Sequence, residues 1–390
     1  KNIKVGDELI GSDGSKRTVL DTTSGEDEMY EVIQNKAENY TVNSKHTLVL
    51  KLAYAPVVHS STGTGTYVCK YFDHKSFSFR SKQFKDEASA NEFMETLDHS
   101  DTCEIKVDEY MKLPQTTKDR LYGFRTEGAD WDEQEVEIDP YLLGLWLGDG
   151  VKNGQDFAAN DREIVEELMD WAENNDAEIV HQRKYTYMMR RKGHGYKRGA
   201  IGEEVGTCVA CKSEGKTEWI CDTPREYERP EKKGLARVSP MKELLMKYSL
   251  INNKHIPTEY MVNSRENRLK LLAGMIDTDG HVCNDGKRIV IVQVNPVVVE
   301  QFTFLARSLG FTTHVTKQER KNFKAFGTIK DYEPKYAINI SGVKANEIPT
   351  KLPRKKCAGS HQSKNDKKTK ISVEHRGRGE YYGFMIDKDH

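Results

Sequence analysis

The chain has 390 residues, of which 36% are hydrophobic and 31% are charged, and its formal net charge is −1. This length and composition predict two or three soluble domains. No apolar run approaches the ~20 residues of a membrane helix, so no membrane partner is expected. Seven cysteines, mostly scattered, argue against a disulfide scaffold and favour an intracellular, reducing compartment.

Both ends of the chain have β character. Residues 1–51 contain apolar and β-branched runs such as YEVIQ and TLVLK, separated by Gly-Asp and Asp-Gly turn signals. Residues 371–390, ISVEHRGRGEYYGFMIDKDH, return to the same pattern. We therefore expect the two ends to pair into one all-β domain, with the rest of the chain inserted between them.

Residues 52–138 predict a separate α+β module. Two or three strands are followed by an amphipathic helix over ASANEFMETL. The module resembles plant AP2-type DNA-binding modules, which lay a three-stranded sheet on DNA. It is therefore a candidate DNA-recognition region, and an insert with a purely structural role is the alternative.

The pattern becomes α/β over residues 139–370. Helix, strands, helix and strands are predicted over about 139–200, and the same order returns over about 253–345, which indicates an internal repeat. A cysteine-containing insert at about 200–235 separates the repeats. The stretches YLLGLWLGDG (141–150) and LLAGMIDTDG (271–280) take the same place in the two repeats.

Each of these two stretches has a glycine inside a predicted helix, Gly144 and Gly274. Glycine in a helix interior is about 1 kcal/mol less favourable than alanine, so it needs a reason. Close approach of two helices is such a reason, and we expect the helices to meet at these glycines. Their C-terminal tips then bring Asp149 and Asp279 side by side.

The paired tips predict a cation site. A helix C-terminus is the negative end of the dipole and exposes carbonyls, here those of Gly148 and Thr278. Two adjacent carboxylates at such a place favour a hard cation such as Mg²⁺, and the arrangement suits metal-assisted phosphodiester hydrolysis. Gly150 and Gly280 are expected to adopt the left-handed conformation that ends each helix.

The two stretches resemble the paired motifs of the LAGLIDADG homing endonucleases. The resemblance implies a pseudo-symmetric α/β domain of αββαββα repeats that cuts double-stranded DNA at a long site, as a monomer. It also implies two or more Mg²⁺ ions at Asp149 and Asp279. Asp277 takes the place of an acid that the family often carries without a catalytic role, and the first copy has Trp146 there.

A second match is NKHIPTEY at 253–260, which resembles the segment before the second helix in endonucleases embedded in inteins. The resemblance implies that Lys254 is an active-site lysine, whose charge stabilises negative charge developing on phosphate. Another active-site lysine is implied near LPRKKCAGSHQSK. Gln362 holds the family position, so Lys356 and Lys364 are the candidates.

The chain ends resemble the Hint domain of inteins, closest to those of fungal nuclear and large-virus genes. TVNSKHTLVL resembles the block whose histidine helps to activate the upstream peptide bond, which implies roles for Asn43 and His46. EYYGFMIDKDH resembles the penultimate block, which implies that His390 assists cyclisation of a terminal asparagine. The implied partners are the flanking exteins of a host protein, and access to the nucleus is expected.

The chain begins at Lys1 and ends at His390. It has neither a Cys or Ser nucleophile at its start nor a His-Asn pair at its end. We therefore expect splicing only where terminal residues outside this chain are present.

Three basic runs, at 181–199, 317–324 and 351–370, predict contact with DNA phosphates despite the near-zero net charge. The strands around 181–198 and 317–340 are expected to lie along the major groove. A solvated surface is the alternative for any single run. The candidate DNA-binding residues are Arg183, Lys184, Arg190, Arg191, Lys192, Lys197, Arg198, Lys317, Arg320 and Lys321.

The stretch CVACKSEGKTEWIC contains three of the four ligands that a structural zinc site needs: Cys208, Cys211 and Cys221. His194 is a candidate for the fourth ligand. An insert with reduced cysteines and no Zn²⁺ is the alternative.

The sequence therefore predicts an intein-encoded, Mg²⁺-dependent, site-specific DNA endonuclease within a Hint domain. Two alternatives stay open. One is a LAGLIDADG module that binds DNA or RNA without cleaving it, and the other is a self-splicing intein whose endonuclease has decayed.

Overall fold

The computed structural model describes residues 2–11, 15–35, 38–61, 65–125, 128–183, 185–192, 238–325, 328–359 and 368–388. The chain divides into two compact units. Unit 1 is formed by residues 1–129 and 362–390, and unit 2 by residues 130–361. No helix in the described part of the chain is long and apolar enough to cross a membrane.

Unit 1 is built on an antiparallel sheet. Its strands are β1 (Glu8–Ile10), β2 (Lys16–Gln34), β3 (Tyr40–Asn43), β4 (Thr47–Leu52), β8 (Thr102–Lys106), β9 (Leu121–Phe124) and β17 (Lys368–Ile386). The strand order is β1-β2-β17-β9-β4-β8, with β3 beside β2. β2 pairs with β17 along nearly its whole length, so the two ends of the chain share one sheet.

Buried and exposed side chains alternate along β4, and this alternation shows which face of the sheet is buried. Leu48, Leu50 and Leu52 are at most 2% exposed, whereas Val49 between them is 45% exposed. The three leucines form a core with Val32 of β2 and residues of β8 and β9. Two short helices follow β8: α2 (Val107–Lys112) and α3 (Gln115–Lys118).

A smaller sheet in unit 1 carries one helix. Its elements are β5 (Val57–Ser61), β6 (Thr66–Asp73), β7 (Ser78–Phe84) and α1 (Glu87–Glu95). Asp86 caps α1 by accepting a hydrogen bond from the Ser89 N–H. We predicted a module over residues 52–138, but the separate sheet and helix are shorter, because β8 and β9 both pair with β4 in the large sheet.

Unit 2 consists of helices packed on two antiparallel sheets. Its first part contains α4 (Pro140–Asp149), β10 (Asp156–Ala158), α5 (Arg162–Asn174), β11 (Ala177–Arg183) and β12 (Thr186–Arg191). Its second part contains α6 (Pro240–Lys247), α7 (Thr258–Met261), α8 (Arg265–Asp279), β13 (Gly280–Val282), β14 (Arg288–Gln293), α9 (Pro296–Ser308), β15 (Thr312–Ala325) and β16 (Thr328–Ser341). Single 3₁₀ turns follow at Val343–Glu347 and Pro353–Lys355.

The two sheets of unit 2 have the strand orders β10-β12-β11 and β13-β14-β16-β15. α4 and the second half of α8 lie at the centre, because residues 141–147 and 271–276 are apolar and buried. Asp139 and Ser264 cap the starts of these helices by accepting hydrogen bonds from backbone N–H groups. One core therefore joins the central helices, the inner faces of both sheets, and the outer helices α5 and α9.

Residues 130–138 belong with unit 2 rather than with the predicted module. Gln134 Nε2 donates to the Val262 carbonyl at 2.6 Å, and the Ile138 N–H donates to the Tyr260 hydroxyl at 3.1 Å. These contacts tie the segment to α7 and the residue after it. The remaining predicted domain boundaries stay predictions.

Candidate active site

α4 and α8 touch backbone to backbone at their glycines. A Cβ built on Gly144 would lie 2.4 Å from the Leu271 carbonyl oxygen, and one built on Gly274 would lie 2.1 Å from the Tyr141 carbonyl oxygen. No real side chain makes contacts this short, so both positions need glycine. The close approach that the sequence predicted at Gly144 and Gly274 is therefore confirmed.

This approach brings the acidic helix tips together. A Cβ built on Gly148 would lie only 3.4 Å from Oδ2 of Asp279, so the Asp279 carboxylate lies against the tip of α4. Burial, and then the nearby negative charge of Asp149, raise the pKa of Asp279 to about 6. Asp149 reaches solvent more freely, and partial desolvation also raises its pKa. Such a carboxylate pair favours a cation between its members.

The glycines after the two aspartates do not adopt the predicted conformation. Gly150 has φ −70° and Gly280 has φ −85°, so both are extended rather than left-handed. The expectation of a left-handed turn was wrong. Gly150 is required for space, because a Cβ there would lie 2.4 Å from Cδ1 of Trp146.

Lys254 binds the tip of α4. Its Nζ donates to the carbonyl oxygens of Leu147 at 3.0 Å and Gly148 at 3.1 Å, and lies 5.1 Å from the ring centre of Trp146. Burial lowers the pKa of Lys254 to about 8, although the charges of the two helix-tip aspartates oppose this shift. The ammonium group is thus fixed beside the carboxylate pair.

Lys355 occupies the equivalent place at the tip of α8, and the sequence did not single it out. Its Nζ donates to the carbonyl oxygens of Asp277 and Thr278, the latter at 2.8 Å, and burial lowers its pKa. We expected Lys356 or Lys364 to be the second lysine. Lys356 is exposed, and Lys364 lies outside the described residues.

Gln293 is a second residue that the sequence reasoning missed. It ends β14, and its Nε2 donates to Oδ2 of Asp279. The only signal in the sequence was a polar residue closing the apolar strand RIVIVQ.

Asp277 is a buried structural carboxylate. It accepts hydrogen bonds from the Tyr141 hydroxyl and the Lys351 N–H, both at 2.7 Å, while burial raises its pKa. Asp277 therefore anchors the segment that leads to Lys355. Counted from the paired glycines, the counterpart of Asp277 in α4 is Leu147, so the equivalence with Trp146 was wrong.

The candidate DNA-binding arginines of β12 point to opposite faces of their sheet. Arg191 shares a face with buried Met189 and pairs with Glu243 of α6 at 3.0 Å, so it faces the helices. Arg190 lies on the other face and pairs with Glu178 at 2.8 Å. Only Arg190 of the two therefore lies on the face turned away from the core.

The other described candidates lie within β15 or at the ends of β11 and β12. Lys192, Lys317 and Lys321 are exposed, and Lys317 pairs with Glu319 at 2.6 Å. Arg320 is partly buried. Arg183 is the last residue of β11. Three further candidates lie outside the described residues: Lys184, Lys197 and Arg198.

Of the predicted splicing residues, Asn43 and His46 lie at the turn between β3 and β4 in unit 1. The His46 N–H donates to the Asn43 carbonyl at 3.2 Å. Desolvation by neighbouring groups lowers the pKa of His46, although its side chain still reaches solvent. His390 lies outside the described residues, so its relation to this turn stays a prediction.

The described residues include the predicted Mg²⁺ ligands and none of the predicted zinc ligands. The described residues contain no group of three or more His, Cys, Asp or Glu side chains that could hold a metal ion. The helix-tip carbonyls of Gly148 and Thr278 each accept a lysine hydrogen bond, which leaves a second lone pair on each oxygen. The candidate zinc ligands Cys208, Cys211 and Cys221, and His194, lie outside the described residues.

Comparisons with known proteins match two parts of the chain. Residues 255–370 match the family model described as homing endonuclease. Residues 1–121 match the model of the Hint domain associated with that endonuclease. The replicative DNA helicase DnaB of Mycobacterium intracellulare is 27% identical over 157 residues, which are 40% of this chain and 16% of the relative.

The ATP-dependent DNA helicase Hel308 of Thermococcus kodakarensis is 33% identical over 96 residues, which are 23% of this chain and 8% of the relative. The chain thus spans less than a fifth of the length of either curated relative. Solved structures of I-DmoI in complex with DNA and Ca, and with DNA and Mn, are 14% identical to the chain and cover 52% of it. The chain covers 82% and 88% of those proteins, each with a TM-score of 0.27, which is too low to establish a shared fold.

Proposed function

We propose that this chain, which matches the homing endonuclease model over residues 255–370 and the associated Hint model over residues 1–121, cuts both strands of DNA at one long target site, with divalent cations at Asp149 and Asp279. The observation that carries the proposal is the contact between the two acidic helix tips. Each tip also binds a lysine, Lys254 partly buried and Lys355 buried, so charges of both signs converge on one place.

The donor set at the tips fits a hard divalent cation such as Mg²⁺. Mg²⁺ is commonly held by one or two carboxylates, with waters and substrate phosphate oxygens as the remaining ligands. Two aspartates therefore suffice once DNA is bound. When present, the cation supplies Lewis acidity and lowers the pKa of a bound water.

The side chains around the carboxylates hold and polarise the substrate. Gln293 orients the carboxylate of Asp279 by donating to Oδ2. Lys254 and Lys355 add fixed positive charge, which stabilises the negative charge that develops on the scissile phosphate. Their hydrogen bonds to helix carbonyls keep both ammonium groups in position before DNA arrives.

We test this function by cleavage of a plasmid library that carries randomised inserts. Linear products are sequenced after incubation with Mg²⁺, and a parallel reaction contains EDTA. The expected result is a recurring cleaved sequence, cut on both strands, in the Mg²⁺ reaction only. Specific binding of a recurring sequence without cleavage in either reaction would support the DNA-binding alternative instead.

The shared sheet of the two chain ends favours a second activity, protein splicing by the Hint domain. The pairing of β2 with β17 holds both ends in one unit, as joining of flanking exteins requires. The test is a precursor with Cys before Lys1 and Asn-Cys after His390, placed between two reporter proteins. Ligated reporters are expected with the parent chain and not with His46→Ala, and ligation at equal rates in both would overturn the assignment of His46.

A further inference from the structure

The outward face of β14 is apolar where a DNA-binding sheet is usually polar. Ile289 and Ile291 are fully buried, and alternation turns Val290 and Val292 to the opposite face. Val292 is 39% exposed. β14 therefore presents apolar side chains on both of its faces.

The strand register extends this apolar character across the sheet. Val292 pairs with Ala337 of β16, and Ala337 pairs with Thr316 of β15. The three side chains form one row, which we call the methyl row, because each member ends in methyl groups and none carries a charge. One neighbouring row on the same face consists of Val290, Asn339 and His314, so two of its three side chains can form hydrogen bonds.

The methyl row also lies close to the acidic helix tips. Gly280, which follows Asp279 directly, pairs with Ile291 next to Val292. Gln293, on the other side of Val292, donates to Asp279. A duplex positioned for cleavage at the tips therefore has its bases near this row.

The dimensions of the row suit the major groove. Neighbouring strands lie about 4.8 Å apart, so three strands span about 10 Å, and the major groove of B-DNA is about 12 Å wide. The apolar group that base edges present in that groove is the C5-methyl of thymine. The side chains of Val292 and Ala337 have no hydrogen-bonding group. The methyl row therefore recognises the thymine methyl group by van der Waals contact rather than by hydrogen bonds.

We infer that Val292, Ala337 and Thr316 form a specificity-determining surface that selects thymine at the base pairs it faces. This inference rests on the proposed function, because it requires the outward face of this sheet to bind duplex DNA. Asn339 and His314 in the neighbouring row read the adjacent base pairs through hydrogen bonds.

The test begins with duplexes that the wild-type full chain retains from a randomised pool. Each thymine of the selected duplex is then replaced singly by deoxyuridine, which removes only the methyl group. We expect the Kd to rise about fourfold at one or two thymines, the effect that burial of one methyl group gives.

The protein variants assign that effect to the methyl row. In Val292→Ala the deoxyuridine penalty at the contacted thymine is expected to disappear, because the methyl group has lost its partner. Val297→Ala is the matched control, since Val297 is also an exposed valine, at 49%, and lies on α9, which packs on the other face of the sheet. It should keep the full penalty. If Val292→Ala does not fold, Thr316→Ser removes a methyl group from the same row and is tested in its place.

The outcomes separate this inference from the proposed function. A selected duplex that is cleaved with Mg²⁺ but tolerates deoxyuridine everywhere overturns the inference and leaves the nuclease standing. A penalty that persists unchanged in Val292→Ala and in Thr316→Ser also overturns it. If no duplex is selected or cleaved, the proposed function fails and the inference fails with it.

Discussion

Asp279 illustrates how an active-site residue opposes folding. Its pKa is raised from 3.8 to about 6, so the folded protein binds this proton more tightly than the unfolded chain does. Proton binding at Asp279 therefore stabilises the folded state. This stabilisation is complete below about pH 4 and is lost as the pH rises through about 6. Above that pH the folded state holds a poorly solvated carboxylate beside a second one.

We therefore expect Asp279→Asn to raise the free energy of unfolding by about 2 kcal/mol at pH 8 in EDTA, given roughly 1.4 kcal/mol per unit of pKa shift and partial exposure. At pH 5 the gain should be much smaller, because the wild-type residue is then largely protonated. Urea unfolding at both pH values measures this difference.

Asp285→Asn serves as the control for this prediction. Asp285 is exposed, and its pKa is lowered by a hydrogen bond from the Lys287 N–H, so replacing it should not stabilise the protein at pH 8. Equal gains in both variants, or no gain for Asp279→Asn, would contradict the account of the paired carboxylates.

The two adjacent lysines Lys355 and Lys356 give a matched pair for the active site. We expect Lys355→Met to slow single-turnover cleavage by about a hundredfold or more, the usual effect of removing one fixed donor near developing charge. Lys356→Met should cleave at the wild-type rate, because its side chain is exposed. Circular dichroism checks that both variants are folded, and equal rates in both would refute the role of Lys355.

These lysines also show why part of the site could not be predicted from the sequence. PRKKC contains two candidate lysines, and a motif cannot say which one points inward. The 3₁₀ turn at Pro353–Lys355 and the anchoring of Lys351 by Asp277 decide it. Asp149, Asp279 and Lys254 were accessible from the sequence because each stands at a fixed spacing within a recognisable stretch.

At the scale of elements, the contact between α4 and α8 controls the site. Gly144→Ala or Gly274→Ala would place a Cβ 2.4 or 2.1 Å from a carbonyl oxygen of the partner helix. We expect each variant to lower the free energy of unfolding of unit 2 by about 3 kcal/mol, the upper end for overpacking of a core. Urea unfolding monitored by tryptophan fluorescence measures this loss.

Gly154→Ala is the control for overpacking. A Cβ on Gly154 meets no atom within 4 Å, so its effect should stay within about 0.5 kcal/mol, as for ordinary surface substitutions. A loss at Gly154 as large as the losses at Gly144 and Gly274 would show that general helix or loop propensity, rather than the helix contact, explains the glycines.

The helix pair was predictable, whereas the roles of the basic strand residues were not. Two mid-helix glycines at equivalent places required a close contact, and that reasoning depends only on local sterics. The role of a basic strand residue depends on its face and its partners, which a charge run does not reveal. Arg190 and Arg191 are neighbours in the sequence, yet one faces the helices and the other does not, and each pairs with an acid.

At the scale of the whole molecule, the two units have separate cores. We expect unfolding in two transitions rather than one. Leu50→Ala should shift only the transition of unit 1 and Leu272→Ala only that of unit 2, each by about 2–5 kcal/mol for a buried leucine. Calorimetry of both variants tests this, and a single transition shifted equally by either substitution would contradict it.

The sequence predicted that both ends of the chain share one sheet, because the two stretches have the same β character. It did not predict that β8 and β9 join that sheet. The sequence of a short strand does not indicate which strand it pairs with. Here the partner, β4, lies about 50–70 residues earlier in the chain. Long-range pairing of this kind follows from packing of the unit as a whole.

The central claim is that Asp149 and Asp279 together form the cleavage site. Its most direct test is strand-resolved cleavage of the selected target by the wild-type chain, Asp149→Asn and Asp279→Asn in Mg²⁺, with the Kd for the same duplex measured alongside. We expect both variants to bind the duplex about as tightly as the parent and to leave at least one strand intact. Either variant cutting both strands at the wild-type rate would contradict the claim.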